Sequence, residues 1–287
     1  MSSPDGDLPE NLSGVIGGDG AGMKGRFWAQ VEYDGTELAG FQLQAQERTV
    51  QGEIERALKE VTGVEIRVIG AGRTDSGVHA RGQVIAFNAE WRHELADLHR
   101  ALNAVLPADV AIVQLGIAPE GFHPRFDAVS RTYRYTLSTQ PWRSPLTRRT
   151  AWHVPYQLDM DRMAQASRCL IGTHDFSTFG RPPQGENWVR TVSQAEWQAK
   201  QGYLTFDIRA NAFLYHMVRS LVGSLVQVGA GQISVDEFEA MLLAQDSSLV
   251  KQLAPAHGLC LMRVEYSRAA LLWRPEAGYP VSKVPAR

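Results

Sequence analysis

The chain first becomes regular at residues 27–33, FWAQVEY, where side chains at alternate positions share one face. This alternation predicts a β-strand. A helix is predicted next at residues 50–61, VQGEIERALKEV, where apolar residues recur at helical spacing. Thr49 stands directly before it and is a residue type that caps helix N-termini. The fold is decided by how this strand and helix continue along the chain.

The same two patterns recur twice in the same order. After the first strand and helix, the first half shows two strand patterns, a helix pattern and a strand pattern, at residues 66–69, 84–87, 95–105 and 110–117. The second half shows strand patterns at residues 132–137, 192–197, 204–208 and 259–266. Its helix patterns lie at residues 158–170 and 213–228, and a shorter helix starts with the capping box at residues 234–237. Each half therefore has the order β-α-β-β-α-β.

This order predicts an α+β fold made of two ferredoxin-like halves, residues 25–125 and 126–270. Each half would form an antiparallel sheet with helices on one face, and the two sheets would meet edge to edge at a central cleft. Residues 1–24 are rich in Gly, Ser, Asp and Pro and are expected to be a disordered extension. Residues 271–287 are expected to form a C-terminal tail.

Composition limits the classes of protein that the chain can belong to. The chain has 287 residues and is 44% hydrophobic, which is enough for a sizeable core. It has no apolar stretch of the roughly 20 residues that span a membrane, and no signal-peptide pattern, so we expect a cytoplasmic protein that does not engage membranes. Cys169 and Cys260 lack metal-ligand spacing. Neither a zinc site nor a disulfide framework is therefore predicted.

Positive charge is concentrated in one segment although the formal net charge of the chain is −2. Residues 121–156 contain six arginines and a single acid, Asp127. Arginine suits planar, bidentate recognition of phosphate. The arginines from Arg125 to Arg149 are therefore a candidate track for RNA phosphates, and the alternative is a solvated arginine-rich loop.

Residues 70–82, GAGRTDSGVHARG, are predicted to form the loop between the second and third strands. Four glycines in thirteen residues allow positive φ angles and a close approach of the backbone to a ligand. Asp75 is the one acidic residue in this loop, and Arg73 stands two residues before it. The alternative without function is a glycine-rich turn in which Asp75 bonds to the backbone.

Three kinds of chemistry compete for this loop. It lacks both glycine patterns of phosphate-binding loops. The triplet Asp75-Ser76-Gly77 is similar to that of aspartic proteases, but the chain contains no second such triplet. A lone carboxylate used as a nucleophile is the best interpretation, because Arg73 favours its ionised form. The loop holds no paired acid for ordinary glycoside hydrolysis.

Five segments of the chain resemble the tRNA pseudouridine synthase A family. The first is residues 70–80, GAGRTDSGVHA, which resembles the catalytic motif of that family. The others are YDGT at 33–36 with GFQLQ at 40–44, TVQG at 49–52, SRTYRY at 130–135 and NAFLYHMVR at 211–219. The resemblance covers about residues 26–266. Ser76 departs from it mildly, since many members have Ala there.

The resemblance implies a pseudouridine synthase fold and the isomerisation of uridine to pseudouridine without cofactor or metal. It implies that the substrate is the anticodon stem-loop of tRNAs, at positions 38, 39 and 40, and that the enzyme is a homodimer. The target uridine would be flipped out of the RNA. The chain would then be an RNA-binding isomerase of tRNA processing.

The resemblance also implies roles for individual residues. Asp75 would be the catalytic nucleophile, and Arg219 would pair with its carboxylate. Tyr133 would stack on the target base, and Arg73 would help to hold the flipped nucleotide. Structural or RNA-contacting roles are expected for three histidines, His79, His123 and His216. The remaining expectations are core packing for Tyr135 and a loop near RNA for Phe41, Gln42 and Gln44.

Two other classes of protein stay open at this point. A non-catalytic RNA-binding module would need only the basic strands of split βαβ units. It has no need of a carboxylate set among Arg73, Tyr133 and Arg219, which argues against it. A protease would cleave peptides and ignore tRNA.

Overall fold

The structure is a computed structural model that describes residues 23–183 and 185–267. The strands of these residues are β1 Met23–Tyr33, β2 Ile69–Gly70, β3 His79–Trp91, β4 Val110–Ile117, β5 Ala128–Ser138, β6 Trp152–His153, β7 Gly172–Asp175, β8 Val189–Lys200, β9 Tyr203–Ala210 and β10 Leu259–Tyr266. The helices are α1 Val50–Thr62, α2 Leu95–Val105, α3 Met160–Arg168, α4 Met217–Gly229 and α5 Val235–Ala244. The predicted α+β class is confirmed.

Helix starts follow the local sequence. The Thr49 side chain accepts a hydrogen bond from the Gly52 amide and caps α1, as predicted. The predicted capping box of α5 is present, with Ser234 and Glu237 bonding reciprocally. α1 packs against α2, and α3 packs against α4 and α5. The helices therefore form two groups, one for each repeat of the strand order.

All ten strands belong to one sheet with the order β4-β1-β3-β10-β5-β9-β8-β7, while β2 pairs with β3 and β6 pairs with β5. The first repeat has the order β4-β1-β3-β2, and the second has the corresponding order β10-β5-β9-β8. The repetition that the sequence predicts is therefore present in the sheet. The division into halves at residues 25–125 and 126–270 stays a prediction.

The two repeats meet where β10 runs parallel to the start of β3. Cys260 pairs with His79, and Leu261 pairs with Ala80. The backbones lie so close there that a side chain at Gly82 would place its Cβ 2.3 Å from the Met262 carbonyl oxygen. The two predicted antiparallel sheets thus join into one, through a short parallel contact.

Three predicted segments differ from the structure. The predicted strand at 66–69 is reduced to β2, because side chains of α1 bond the backbone of Val68: its amide donates to Glu55 at 3.1 Å and its carbonyl accepts from Gln51 at 3.4 Å. The predicted loop at 70–82 is shorter, since β3 begins at His79. The predicted helix at 213–228 begins four residues later, at Met217, because Tyr215 pairs with Arg181 and His216 has a φ of 67°.

The ends of the chain fall largely outside the described residues. Residues 1–22 of the expected extension and the expected tail at 271–287 lie there. β1 already begins at Met23, two residues before the expected boundary of the first half. Within residues 23–183 and 185–267, no helix is long and apolar enough to cross a membrane.

Replacing Gly82 by Ala is expected to destabilise the protein by about 1–3 kcal/mol, the usual cost of overpacking. The reason is that the new methyl group would push β3 from β10 at their shared contact. Urea unfolding measures the change. Gly25→Ala in β1 is the matched control, because no atom lies within 4 Å of its added Cβ. Equal effects of both substitutions would contradict the tight contact.

Candidate active site

One cleft of about 870 Å³ is lined by residues from both repeats of the strand order. The loop between β2 and β3, residues 71–78, forms one wall together with Phe41, Gln42 and Gln44. The approach to α4, residues 212–219, forms the opposite wall. Among the described lining residues six are arginines, and Asp75 is the one carboxylate.

The loop that carries Asp75 is held by hydrogen bonds from several directions. The Phe41 amide donates to the Thr74 carbonyl at 3.1 Å, and the Gly77 amide donates to the Leu38 carbonyl at 3.3 Å. The buried Thr74 hydroxyl lies 2.8 Å from the Tyr33 hydroxyl. These contacts fix the backbone on both sides of Asp75.

Gly40 lies against this loop in a conformation that favours glycine. Its φ is +91°, and a Cβ there would lie 2.7 Å from the Thr74 carbonyl oxygen and 3.3 Å from the Asp75 carbonyl carbon. The loop of residues 34–49 and the loop of Asp75 therefore pack backbone to backbone. A side chain at position 40 would force these two stretches of backbone apart.

Asp75 and Arg219 form an ion pair, as the resemblance implies. Arg219 Nη1 donates to Asp75 Oδ2 at 3.0 Å, and their side chains are 14% and 15% exposed. Arg219 Nε donates to the Ala254 carbonyl at 2.8 Å, and the Ala254 amide donates to the Arg219 carbonyl at 3.1 Å. The guanidinium is thus oriented before any substrate binds.

The two oxygens of Asp75 differ in their surroundings. Oδ2 receives the Arg219 bond and lies 3.6 Å from His216 Nε2. Oδ1 forms no hydrogen bond within the described part of the chain, and it is accessible to solvent. One oxygen is therefore held, while the other is open to the cleft.

His216 is a close neighbour of the carboxylate. Its ring stacks on Tyr215, with centroids 3.8 Å apart. Burial lowers the pKa of His216, Asp75 raises it, and the charges of Arg219 and Arg181 lower it again. The net shift is downward. The imidazole is therefore predominantly neutral at neutral pH.

The other two histidines that the sequence singles out have different surroundings. His79 is buried, accepts from the Gly35 amide at 3.0 Å through Nδ1, and donates from Nε2 to the Arg149 carbonyl at 2.6 Å. It therefore links three parts of the backbone. His123 lines the cleft, and its Nδ1 accepts from the Arg125 amide at 3.2 Å.

Tyr133 lies in the cleft wall with 8% of its surface exposed. Its ring meets Phe213 edge to face at 5.0 Å. Burial raises the pKa of Tyr133, and the charge of Asp75 raises it further, so the phenol keeps its proton at neutral pH. Tyr135 on the same strand is fully buried and donates to the Pro255 carbonyl at 2.7 Å, which places it in the core as expected.

Two expectations about arginines are corrected. Arg73 lines the cleft but is exposed and has no carboxylate partner within residues 23–183 and 185–267, so Arg219, and not Arg73, is the cation on Asp75. Arg131 is buried and donates to four backbone carbonyls, those of Ala71, Ala128, Arg125 and Asn211. Arg131 therefore has a structural role, because its Nη1 and Nη2 donors are already bonded to the backbone.

Two further arginines of the predicted track lie beside carboxylates of the protein. Arg134 forms a bidentate pair with Asp207 at 2.7 Å for each bond. Arg149 lies 3.6 Å from Glu37. Of the predicted track, only Arg125 and Arg131 line the cleft. Sequence reasoning missed Arg181 and Arg190, which line it too. Both lie beyond the segment whose charge stands out, and each is an isolated arginine in its local sequence.

The geometry is that of an enzyme site for an anionic substrate, since a single oriented carboxylate stands among arginines at the base of a cleft. Among the described residues no group of three or more His, Cys, Asp or Glu side chains is placed to hold a metal ion. Two groups with exchangeable protons share the cleft with the carboxylate: His216, whose Nε2 lies 3.6 Å from Asp75 Oδ2, and Tyr133.

Comparison with known proteins places the chain in a family. A family model described as tRNA pseudouridine synthase matches residues 29–127 and 166–267. The tRNA pseudouridine synthase A of Roseiflexus castenholzii is 47% identical over 241 residues, 83% of this chain and 89% of that protein. The protein of the same name from Bacillus pumilus is 42% identical over 239 residues, 82% of this chain and 97% of that protein. The chain therefore belongs to the tRNA pseudouridine synthase family, whose members are isomerases.

Similarity to solved structures is weaker. A chain of the Cbf5-Nop10-Gar1 complex aligns with a TM-score of 0.35 and 12% identity. The alignment covers 82% of this chain and 58% of that chain.

Gly40→Ala is expected to lower the rate of pseudouridine formation about tenfold or more, because the new Cβ displaces the loop of Asp75 and small misplacements are costly to catalysis. Gly63→Ala is the matched control. Its φ is also positive, +75°, but no atom lies within 4 Å of the added Cβ. This control should lose about 1 kcal/mol of stability and keep its rate. Equal rates for both variants would contradict the packing argument.

His216 predicts part of the dependence of stability on pH. Burial lowers the pKa of His216 in the folded state below the usual histidine value of about 6.5, so the unfolded chain binds more protons in mild acid. Its contribution to the free energy of unfolding is therefore present above about pH 6.5 and lost as the pH falls. His216→Asn, which tolerates the left-handed backbone, should lose less stability between pH 7.5 and 5.5 in urea unfolding. Parallel losses in both proteins would refute this.

Proposed function

We propose that this protein isomerises uridines at positions 38, 39 and 40 of the tRNA anticodon stem-loop, with Asp75 as the nucleophile on a flipped-out uridine. Family membership supplies the reaction class, and relatives named tRNA pseudouridine synthase A support the substrate. The assignment to this part of the tRNA rests on the motif resemblance of residues 70–80.

The observation that carries the proposal is the asymmetric environment of the Asp75 carboxylate. Arg219 holds Oδ2 at 3.0 Å, while Oδ1 is left for the substrate. A carboxylate so placed can attack the substrate or stabilise positive charge that develops on the ribose. Neither role needs a second acid in the cleft.

The overall reaction conserves every atom of the nucleotide. The bond between N1 of uracil and C1′ of ribose breaks, and a bond between C5 and C1′ forms. The proton on C5 is released, and N1 gains one. No oxidant, reductant or net water is consumed, and the proposal therefore calls for no cofactor.

Two residues are proposed to hold the flipped nucleotide. The Tyr133 ring, packed edge to face on Phe213, offers a rigid surface on which the base can stack. Such stacking is worth about 1–3 kcal/mol per base, comparable with the cost of removing a base from its stack. The exposed guanidinium of Arg73 lines the same cleft and has no carboxylate partner in the described chain, which supports a contact with the nucleotide.

The proposal extends to the assembly and its place in the cell. We propose a homodimer that acts on tRNA in the cytoplasm. The resemblance of the five segments supports the dimer. His123, Phe41, Gln42 and Gln44 line the cleft and are proposed to contact the RNA.

Asp75→Asn is expected to reduce pseudouridine formation by about 10⁴-fold or more, as loss of a nucleophile does, while tRNA affinity stays within about threefold. The measurement is conversion of unmodified tRNA transcripts, mapped by position, together with filter binding. Asp161→Asn, at an exposed position in the first turn of α3, is the matched control and should keep its activity.

Appreciable conversion by Asp75→Asn would refute the role of that residue. Conversion by the unaltered protein at a site outside the anticodon stem-loop would refute the proposed substrate. Tight binding without any conversion would favour an RNA-binding module.

A further inference from the structure

Two arginines outside the catalytic cluster line the same cleft, although they are 65 residues apart in sequence. Arg125 belongs to the segment that precedes β5, and Arg190 belongs to β8. Burial lowers the pKa of Arg190, and the charge of Arg125 lowers it further, so the two guanidinium groups interact electrostatically. Both line the cleft of Asp75.

Arg190 is built into the wall of the cleft. It is 8% exposed, and its Nη1 donates to the carbonyls of Val189 at 2.7 Å and Asn187 at 3.0 Å. Its Nε is buried and has no hydrogen-bond partner. Its Nη2 forms no hydrogen bond with the described residues and is accessible to solvent. The side chain is therefore fixed in place with donors to spare.

Arg125 supplies a second cation from the segment between β4 and β5. Its backbone is anchored, because its amide donates to His123 Nδ1 at 3.2 Å and its carbonyl accepts from Arg131 at 2.6 Å. Its guanidinium lies 5.7 Å from the centre of the Phe126 ring, which limits its range of positions. It forms no ion pair within the described part of the chain.

No carboxylate of the described residues neutralises this pair. Asp127, the acid nearest to Arg125 in sequence, accepts from the His123 amide at 2.8 Å. Arg131 adds a third positive charge close to Arg125, and its own donors are occupied by backbone carbonyls. Like charges at close range repel, so an anion between Arg125 and Arg190 would be bound favourably.

We propose that Arg125 and Arg190 form a binding site for one backbone phosphate of the RNA strand that carries the target uridine. The proposal rests on the proposed function, which brings an RNA strand into this cleft. A phosphate presents several oxygens to two guanidinium groups at once, and such charge-assisted bonds are among the strongest in proteins. Contacts of this kind fix the position of the strand without reading its sequence.

The first experiment is Arg125→Gln, which removes one charge without emptying a buried site. In the Asp75→Asn background, which leaves the RNA unconverted, the affinity for an anticodon stem-loop RNA should fall about tenfold. The slope of log affinity against log salt should fall by about 0.7, the value of one phosphate contact on a single strand. Arg168→Gln, at an exposed position in the last turn of α3, should change neither quantity.

The second experiment locates the contact. Stem-loop RNAs in which one phosphate at a time is replaced by a neutral methylphosphonate should show one position where the protein with Arg125 intact binds about tenfold more weakly. The Arg125→Gln variant should be insensitive at that position and should respond as the protein with Arg125 intact does at every other position. Full sensitivity of Arg125→Gln at every position would overturn the proposal.

Arg190→Lys provides an independent check, since it keeps the charge but loses the fork of donors. The loss of affinity caused by a methylphosphonate at the same position should be smaller for Arg190→Lys than for the protein with Arg190 intact. Circular dichroism and urea unfolding establish that the variant is folded. An effect of Arg190→Lys at a different phosphate from Arg125→Gln would also overturn the shared site. Conversion assays on the unaltered protein report on the proposed function separately, because all binding measurements here use unconverted RNA.

Discussion

The parallel contact between β3 and β10 is the constraint on which the site depends. Asp75 lies four residues before β3 begins, and Ala254, which holds Arg219 through its backbone, lies five residues before β10 begins. When the two strands lie side by side, the carboxylate from one repeat meets the guanidinium from the other. The ion pair of Asp75 and Arg219 is therefore a product of the sheet, although 144 residues separate its members in sequence.

The electrostatics of the cleft follow from what each arginine already binds. Arg131 and Arg219 are satisfied by the protein, the first by backbone carbonyls and the second by Asp75 and Ala254. Arg125 and Arg190 are oriented but retain free donors. A protein surface that binds an anionic polymer needs cations that are fixed and uncompensated, and counting arginines in the sequence does not separate these from the structural ones.

Periodicity predicted most of the elements because each repeat buries one face of its strands and helices. It failed at residues 66–69, where Ile66 and Val68 are buried but the backbone of Val68 bonds to side chains of α1 and does not extend the pairing of β2 with β3. The pairing of Asp75 with Arg219 and the cleft position of Tyr133 came from motif resemblance, because contacts between distant segments leave no local pattern. The prediction that Arg131 belongs to an RNA track failed for the same reason, because nothing in the neighbouring sequence indicates that its side chain donates to four backbone carbonyls.

The short parallel contact also has a mechanical consequence. Only two residue pairs join β3 to β10, while the antiparallel pairs within each repeat are far longer. The joint is therefore held by side chains as well as by strand pairing, since His79 Nε2 lies 2.6 Å from the Arg149 carbonyl and Arg131 donates to the Ala71 carbonyl at 3.0 Å. These bonds tie the loop that carries Asp75 to the second repeat, so the register of the two charges does not depend on two strand pairs alone.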